Sequence, residues 1–182
     1  AEQEVLKRRD QLPCVILRPG AVYGPRDEDF LEYFRWIRRG IQPLLGRRQL
    51  MSLVHVRDVV RAALLAGRAD FASGEIFHIA DPAPCGWEDI GRIAAGLLGK
   101  RPVKVRLPLW TASLASAVSE GLGRLLGRDK GLLNRDKAKL AKAAGWVADV
   151  GKARQVLGFE TRISLEQGLG ETIAWYLGQG LL

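Results

Sequence analysis

The chain is poor in sulfur and in histidine: its 182 residues include Cys14 and Cys85, a single methionine (Met51), and two histidines, His55 and His78. Two cysteines far apart give neither a zinc-ligand spacing nor a disulfide framework, so no metal site is expected and a reducing, cytoplasmic setting is. Long apolar runs are missing too. The nearest, Leu107 to Leu126, is interrupted by Glu120 and Arg124 and reads as an amphipathic helix rather than a membrane span. Nor does the sequence open on a secretory signal, because Ala1 to Arg9 form a charged helical pattern. No membrane partner is therefore expected. With 47% hydrophobic and 26% charged residues, the chain has material for a packed core and is too apolar for disorder.

Acidic residues are also in deficit, 20 against 28 basic ones, which leaves a net charge of +8. Seven basic residues (Arg124, Arg128, Lys130, Arg135, Lys137, Lys139 and Lys142) crowd into one stretch, opposed by Asp129 and Asp136 alone. Such a cluster can hold phosphates. No helix-turn-helix, zinc-finger or RNA-binding signature accompanies it and no aromatics are interleaved, so it reads as a solvated basic face and no nucleic-acid partner is expected.

What is present is a mixed α/β pattern. Ala1 to Gln11 has the look of a helix already under way, with no cap before it, which suggests a chain cut from something longer. Cys14-Val15-Ile16-Leu17 is a short apolar run suited to a strand buried on both faces. The stretch Arg18 to Pro25 follows as a loop. A helix capped by Asp29 should turn Phe30, Leu31, Phe34, Ile37 and Ile41 inward. Leu50 to Val56 reads as a strand, and Asp58 as the cap of a helix over Val59–Ala66 with Val59, Val60, Ala63 and Leu64 inward. Glu75 to Ile79 is a further strand. Trp87 to Leu98 is a helix with Ile90, Ile93, Ala94, Leu97 and Leu98 on one side. Pro102 to Leu107 is extended. Ser164 and Gln167 form a capping-box pattern ahead of a last helix that carries Leu165, Leu169, Ile173 and Tyr176 on one face.

The segment Arg18-Pro19-Gly20-Ala21-Val22-Tyr23-Gly24-Pro25 resembles the extended short-chain dehydrogenases/reductases. That superfamily takes in nucleotide-sugar epimerases and dehydratases, 3β-hydroxysteroid dehydrogenase-like enzymes and dihydroflavonol reductase-like enzymes. Further matches follow in the family's order: Ser52-Leu53-Val54-His55-Val56-Arg57-Asp58-Val59-Val60, then Trp87-Glu88-Asp89-Ile90. Asp149 to Phe159 and Thr172-Ile173-Ala174-Trp175-Tyr176 complete them. Any one is weak, and their order makes them strong together. The resemblance implies the C-terminal strands and helices of a Rossmann-type parallel sheet plus a mainly helical substrate-binding lobe. These interleave: 1–20 and 50–80 as the last Rossmann elements, 21–49 and 81–182 as the lobe.

Two parts of that family's machinery are absent from the sequence. A pyrophosphate site needs a glycine-rich turn between a strand and a helix. Gly121, Gly123 and Gly127 lie in a helical pattern with no strand before them. The family's Tyr followed four residues later by Lys is also missing: Tyr23 meets Asp27 at that spacing, Tyr33 meets Ile37, and Tyr176 meets Gly180. No catalytic residue is therefore expected in this chain. It reads as the substrate-binding half of an NAD- or NADP-dependent oxidoreductase, inactive alone and partnered by a missing N-terminal Rossmann half.

By resemblance, the backbone of Pro19, Gly20, Ala21 and Val22 touches the nicotinamide carboxamide, the alternative being a tight turn with no ligand. Tyr23, His55 and Arg57 are the candidates for substrate contact. Each also has a plain structural reading: a ring packed at the sheet edge, a core histidine, a solvated arginine. Met51 stands where the nucleotide-sugar branch has a pyrophosphate-gripping Arg, and Gly20-Ala21 where it often has an Asn. Both departures favour a carbinol or ketone substrate of lower polarity. A nucleotide-sugar epimerase/dehydratase and a non-catalytic scaffold remain the alternatives. Sheet edges and apolar surface left open by a missing half also allow a homodimer.

Overall fold

A computed structural model of the chain describes residues 2–47, 49–71, 73–108 and 145–182. In chain order its principal elements are α1 (Glu2–Leu6), β1 (Val15–Pro19), β2 (Ala21–Tyr23), α2 (Glu28–Arg38), β3 (Ile41–Leu45), β4 (Leu50–Met51), β5 (Leu53–His55), α3 (Val56–Ala66), β6 (Glu75–Ile79), α4 (Trp87–Leu97), β7 (Val103–Leu107), β8 (Gly145–Trp146), α5 (Gly151–Leu157) and α6 (Leu165–Gly178). The long helix expected after Leu107 and the basic cluster from Arg124 to Lys142 lie outside the described residues. No helix among those described is long and apolar enough to cross a membrane.

The chain divides into two compact units: Ala1–Gly24, Met51–Cys85 and Val147–Gly168 form the first, and Pro25–Leu50, Gly86–Trp146 and Leu169–Leu182 the second. Ala153, Leu157 and Phe159 bury with Val54, Ala62, Ala66, Phe77 and Ile79 in the core of the first unit.

That unit is built on parallel pairing. β1 lies along β6 from Val15↔Glu75 to Pro19↔Ile79, and β2 along β5 from Ala21↔Leu53 to Tyr23↔His55. Parallel strands with no hairpin between them require helical or long crossovers, which α3 and its flanks supply between β5 and β6. Two departures from the sequence reading follow from where α3 starts. The helix opens directly after β5, so His55 rather than Asp58 is its cap, its Nδ1 accepting from the Arg57 N–H at 3.3 Å. The inward face is correspondingly rotated. Asp58, Ala62 and Ala66 are buried, while Val60 and Leu64, expected inside, are each 56% exposed. Asp58 sets this phase, since its carboxylate accepts from Arg61 at 2.8 Å and from the backbone N–H groups of Arg162 and Ile163 at 3.2 Å.

In the second unit β3 and β7 pair in parallel from Ile41↔Val103 to Leu45↔Leu107. Asp27, not Asp29, caps α2, its carboxylate accepting from the Asp29 and Phe30 N–H groups at 2.8 Å. Asp29 falls in the first turn instead, where a negative charge still favours the helix N-terminus. Phe30, Leu31, Phe34 and Ile37 are buried as expected, joined by Tyr33. On α4 the buried face is Ile90, Gly91, Ala94 and Ala95, and Leu97 is exposed. Small residues are needed there because the Tyr33 hydroxyl and the Gln42 amide lie against Gly91. The Tyr33 hydroxyl donates to the Trp87 carbonyl at 2.9 Å, and Gln42 Nε2 reaches the same carbonyl at 3.3 Å. Burial pushes the Tyr33 hydroxyl up to about 12. Leu169, Thr172, Ile173 and Tyr176 bury one face of α6.

Candidate functional site

Every residue singled out in the sequence for cofactor or substrate contact falls in the first unit. β1 and β6 run parallel, so both end on the same side of their sheet, the side where α/β proteins bind ligands. The segment expected as a loop is partly strand. The chain closes its pairing with β6 at Gly20, whose N–H donates to the Ile79 carbonyl at 2.9 Å, and at once begins pairing with β5. Ala21 donates to the Ser52 carbonyl, also at 2.9 Å. Gly20 is the residue that lets this change of partner happen. A Cβ there would drive into the Ser52 carbonyl oxygen and stand 3.2 Å from Ala80 Cβ.

The protein's own backbone thus accounts for a glycine at this position. The fit of a nicotinamide carboxamide therefore rests on Val22. Because Ala21 points its N–H at β5, the alternation of a parallel ladder turns the Val22 N–H and C=O to the opposite edge of β2, where no described strand pairs. An exposed edge with one donor and one acceptor matches what an amide requires. Val22 is itself 36% exposed and Pro19 is exposed beside it.

Tyr23, the next residue of β2, is paired in register with His55 of β5. They are 3% and 2% exposed, and their rings meet edge to face with centroids 5.3 Å apart. His55 Nδ1 accepts from the Arg57 N–H at 3.3 Å. Arg57 is exposed at the start of α3. Near the wall, Arg18 Nε holds the two Glu2 carboxylate oxygens at 3.0 and 3.2 Å, linking α1 to the end of β1. This hydrogen bond lowers the Glu2 carboxyl below its ordinary value. Met51 is buried, which leaves it unable to present any group to a substrate anion.

Sequence reasoning overlooked the residues that hold these in place. Asp81, at the end of β6, accepts from the Thr161 hydroxyl at 3.1 Å and from the Ala83 N–H at 2.8 Å. Together with Asp58 it pins the segment leading into α6. The first turn of that helix then brings Gly168 against the Tyr23 ring. The Asp in His55-Val56-Arg57-Asp58 was visible but misassigned, whereas nothing in the sequence marks Gly168 as a neighbour of Tyr23.

Residues 1–80 match the NAD dependent epimerase/dehydratase family. Along its whole length the chain is 27% identical to the decarboxylating sterol-4-alpha-carboxylate 3-dehydrogenase of Saccharomyces cerevisiae, of which it covers 55%. Over 93% of the chain it is 26% identical to the ceramide reductase of Caulobacter vibrioides, covering 53% of that protein. Among solved structures, the UDP-glucuronic acid 4-epimerase of Bacillus cereus, in complex with UDP-glucuronic acid and NAD, superposes with a TM-score of 0.67. It shares 20% identity over 93% of the chain and 46% of its own, a likeness of fold. The chain thus spans about half the length of the relatives it matches. Residues 1–80 are thus similar to the NAD dependent epimerase/dehydratase family, and the whole chain is similar to about half of a sterol-4-alpha-carboxylate 3-dehydrogenase.

Proposed function

We propose that the chain supplies the substrate-side wall of a nicotinamide-dependent oxidoreductase that moves hydride to or from a carbinol or ketone carbon. The observation that carries this reading is the unpaired edge of β2 at Val22, beside the carboxyl ends of two parallel strands. Pro19, Gly20, Ala21 and Val22 form the wall, and Val22 holds the carboxamide of NAD or NADP through its backbone. The cofactor supplies the hydride chemistry when bound. Tyr23, His55 and Arg57 lie on the substrate side, the first two buried and Arg57 exposed.

A less polar substrate is favoured over a nucleotide sugar. The buried Met51 removes the anion-gripping position, and the two relatives named above act on a sterol carboxylate and, by its name, a ceramide-type substrate. A nucleotide-sugar epimerase or dehydratase is the second reading, favoured by the fold likeness to the NAD-bound UDP-glucuronic acid epimerase. The sequence has no Tyr four residues before a Lys, and the described residues hold no glycine-rich strand-to-helix turn, so no turnover is expected from the 182 residues by themselves. Working partners are a small-molecule substrate and an N-terminal Rossmann half, in a cytoplasmic setting.

The test compares two proteins: the 182-residue chain, and the gene product with whatever sequence precedes residue 1. Nicotinamide absorbance is followed with apolar ketones and secondary alcohols and, separately, with UDP-sugars. Turnover of the ketones by the longer product alone is expected. Turnover by the 182-residue chain, or turnover confined to UDP-sugars, would overturn the reading.

A further inference from the structure

The first turn of the last helix lies against Tyr23 at Gly168. A Cβ at Gly168 would stand 2.9 Å from Tyr23 Cε2 and 3.0 Å from Cζ, and closer still to the hydroxyl oxygen. The phenol therefore lies on the bare backbone of the first turn of α6. It has little freedom to move away, since it is 3% exposed and His55 closes on it edge to face. The turn that carries Gly168 is fixed as well. The Asp58 carboxylate takes the Arg162 and Ile163 N–H groups, Asp81 takes the Thr161 hydroxyl, and the Ser164 hydroxyl oxygen accepts from the Gln167 N–H at 3.2 Å. All of these residues belong to the first unit.

We infer that Gly168 is a positioning residue for Tyr23 and, through it, for His55: the bare turn sets where the pair lies beside Val22. The inference rests on the reading of this edge as the cofactor and substrate wall only for its functional meaning, and its geometry stands without it. Helix propensity and the proposed role pull in opposite directions at this position. Alanine is the better helix former and would stabilise an open site, while a methyl here must displace a buried ring. Serine would do the same and add a hydroxyl beside the phenol. A shifted seat for Tyr23 alters the room beside Val22, which makes residue 168 a determinant of which substrates the wall accepts.

The experiment uses the 182-residue chain, in which His55 and His78 are the only histidines, so their two imidazole signals can be followed by NMR. Gly168→Ala is expected to lower the thermal midpoint and to move the His55 signal, which senses the ring current of Tyr23, while His78 stays in place. Tyr23→Leu in that background removes the ring atoms that the added methyl meets and should recover part of the lost midpoint. A Gly168→Ala variant with an unchanged or raised midpoint and an unmoved His55 signal would overturn the inference. A lowered midpoint without movement at His55 would overturn it too, because it would show a purely structural role. If Gly168→Ala does not fold, the double variant decides: a folded double variant supports the inference and an unfolded one overturns it. No cofactor or substrate enters these readouts, so they are independent of the turnover test of the proposed function.

Discussion

Each unit of the chain has a buried polar centre among its described residues, and the two are built differently. In the first unit a single carboxylate, Asp58, gathers Arg61 and two backbone N–H groups from a stretch more than a hundred residues away. In the second, two neutral groups, Tyr33 and Gln42, share the Trp87 carbonyl and the space left by Gly91. A buried charge left without a partner costs several times what a lost neutral hydrogen bond does. The charged centre is therefore the brittle one, and it is the one that holds the candidate wall. The neutral centre can adapt, since an apolar replacement of matching shape leaves no charge exposed to a low dielectric.

The largest effect should come from Asp58→Ala, which leaves the Arg162 and Ile163 N–H groups without their carboxylate at a site 2% exposed and leaves Arg61 donating to the Glu160 carbonyl alone. We expect a loss of about 3–5 kcal/mol. It would be read by denaturant unfolding, with hydrogen exchange at Leu53 to His55 and Glu75 to Ile79 rising before that at Ile37 and Ile90. An equal response in both units would break the comparison. Gly91→Ala strikes the neutral centre, where the added methyl would stand 2.6 Å from the Tyr33 hydroxyl and closer to the Gln42 amide. Side chains can yield there, and a cost of about 1–3 kcal/mol is expected. Gln42→Leu in the same background should soften that cost, and a worse outcome would show the centre to be less adaptable than described.

The pH response sharpens the contrast further. The Tyr33 hydroxyl is raised from 10.0 to about 12 by burial, so the unfolded chain gives up this proton first. Its contribution to stability is then complete below pH 10 and is lost as pH rises toward 12. Subtracting the pH profile of Tyr33→Phe from that of the parent should isolate a decline in this window. A flat difference would mean that the phenol is not held as described. Tyr176, raised further by burial, stays in both profiles and cancels.

The smallest effect tests the face assigned to α3. Val60→Lys should change stability by no more than about 0.5 kcal/mol, because the side chain is already exposed. Ala62→Lys, on the fully buried side, should unfold the first unit. The reverse outcome would restore the face expected from hydropathy alone.

Much of the fold could be read before the structure, and the failures share a cause. Cys14 to Leu17 reads as a strand because a short apolar run bounded by Pro13 and Pro19 has few other uses, and the observed strand, Val15–Pro19, runs on into what reads as a loop. The inner face of α2 was legible because Phe30, Phe34 and Ile37 are large and helically spaced. On α3 the same logic failed. Val60 and Leu64 are more apolar than Asp58 and Ala62, but a carboxylate with backbone N–H groups waiting for it outweighs two aliphatic side chains in choosing which face turns inward. The cap was misplaced for the same reason: aspartate is the common cap, and a histidine accepting through Nδ1 carries no sequence signal. Within the candidate site, the order of motifs singled out Pro19 to Tyr23, but what packs against Gly20 and Gly168 emerges only where distant groups meet them. Glycine in a sequence says that space is scarce and not what fills it.

The central claim is that the Val22 edge of β2 receives a nicotinamide carboxamide. The most direct measurement is a crystal structure of the gene product, with whatever sequence precedes residue 1, grown with NADH or NADPH. The account predicts the carboxamide within hydrogen-bonding distance of the Val22 N–H or C=O, with the Tyr23 and His55 rings still edge to face. A nicotinamide bound elsewhere, or a Val22 edge covered by the protein's own backbone, would contradict it.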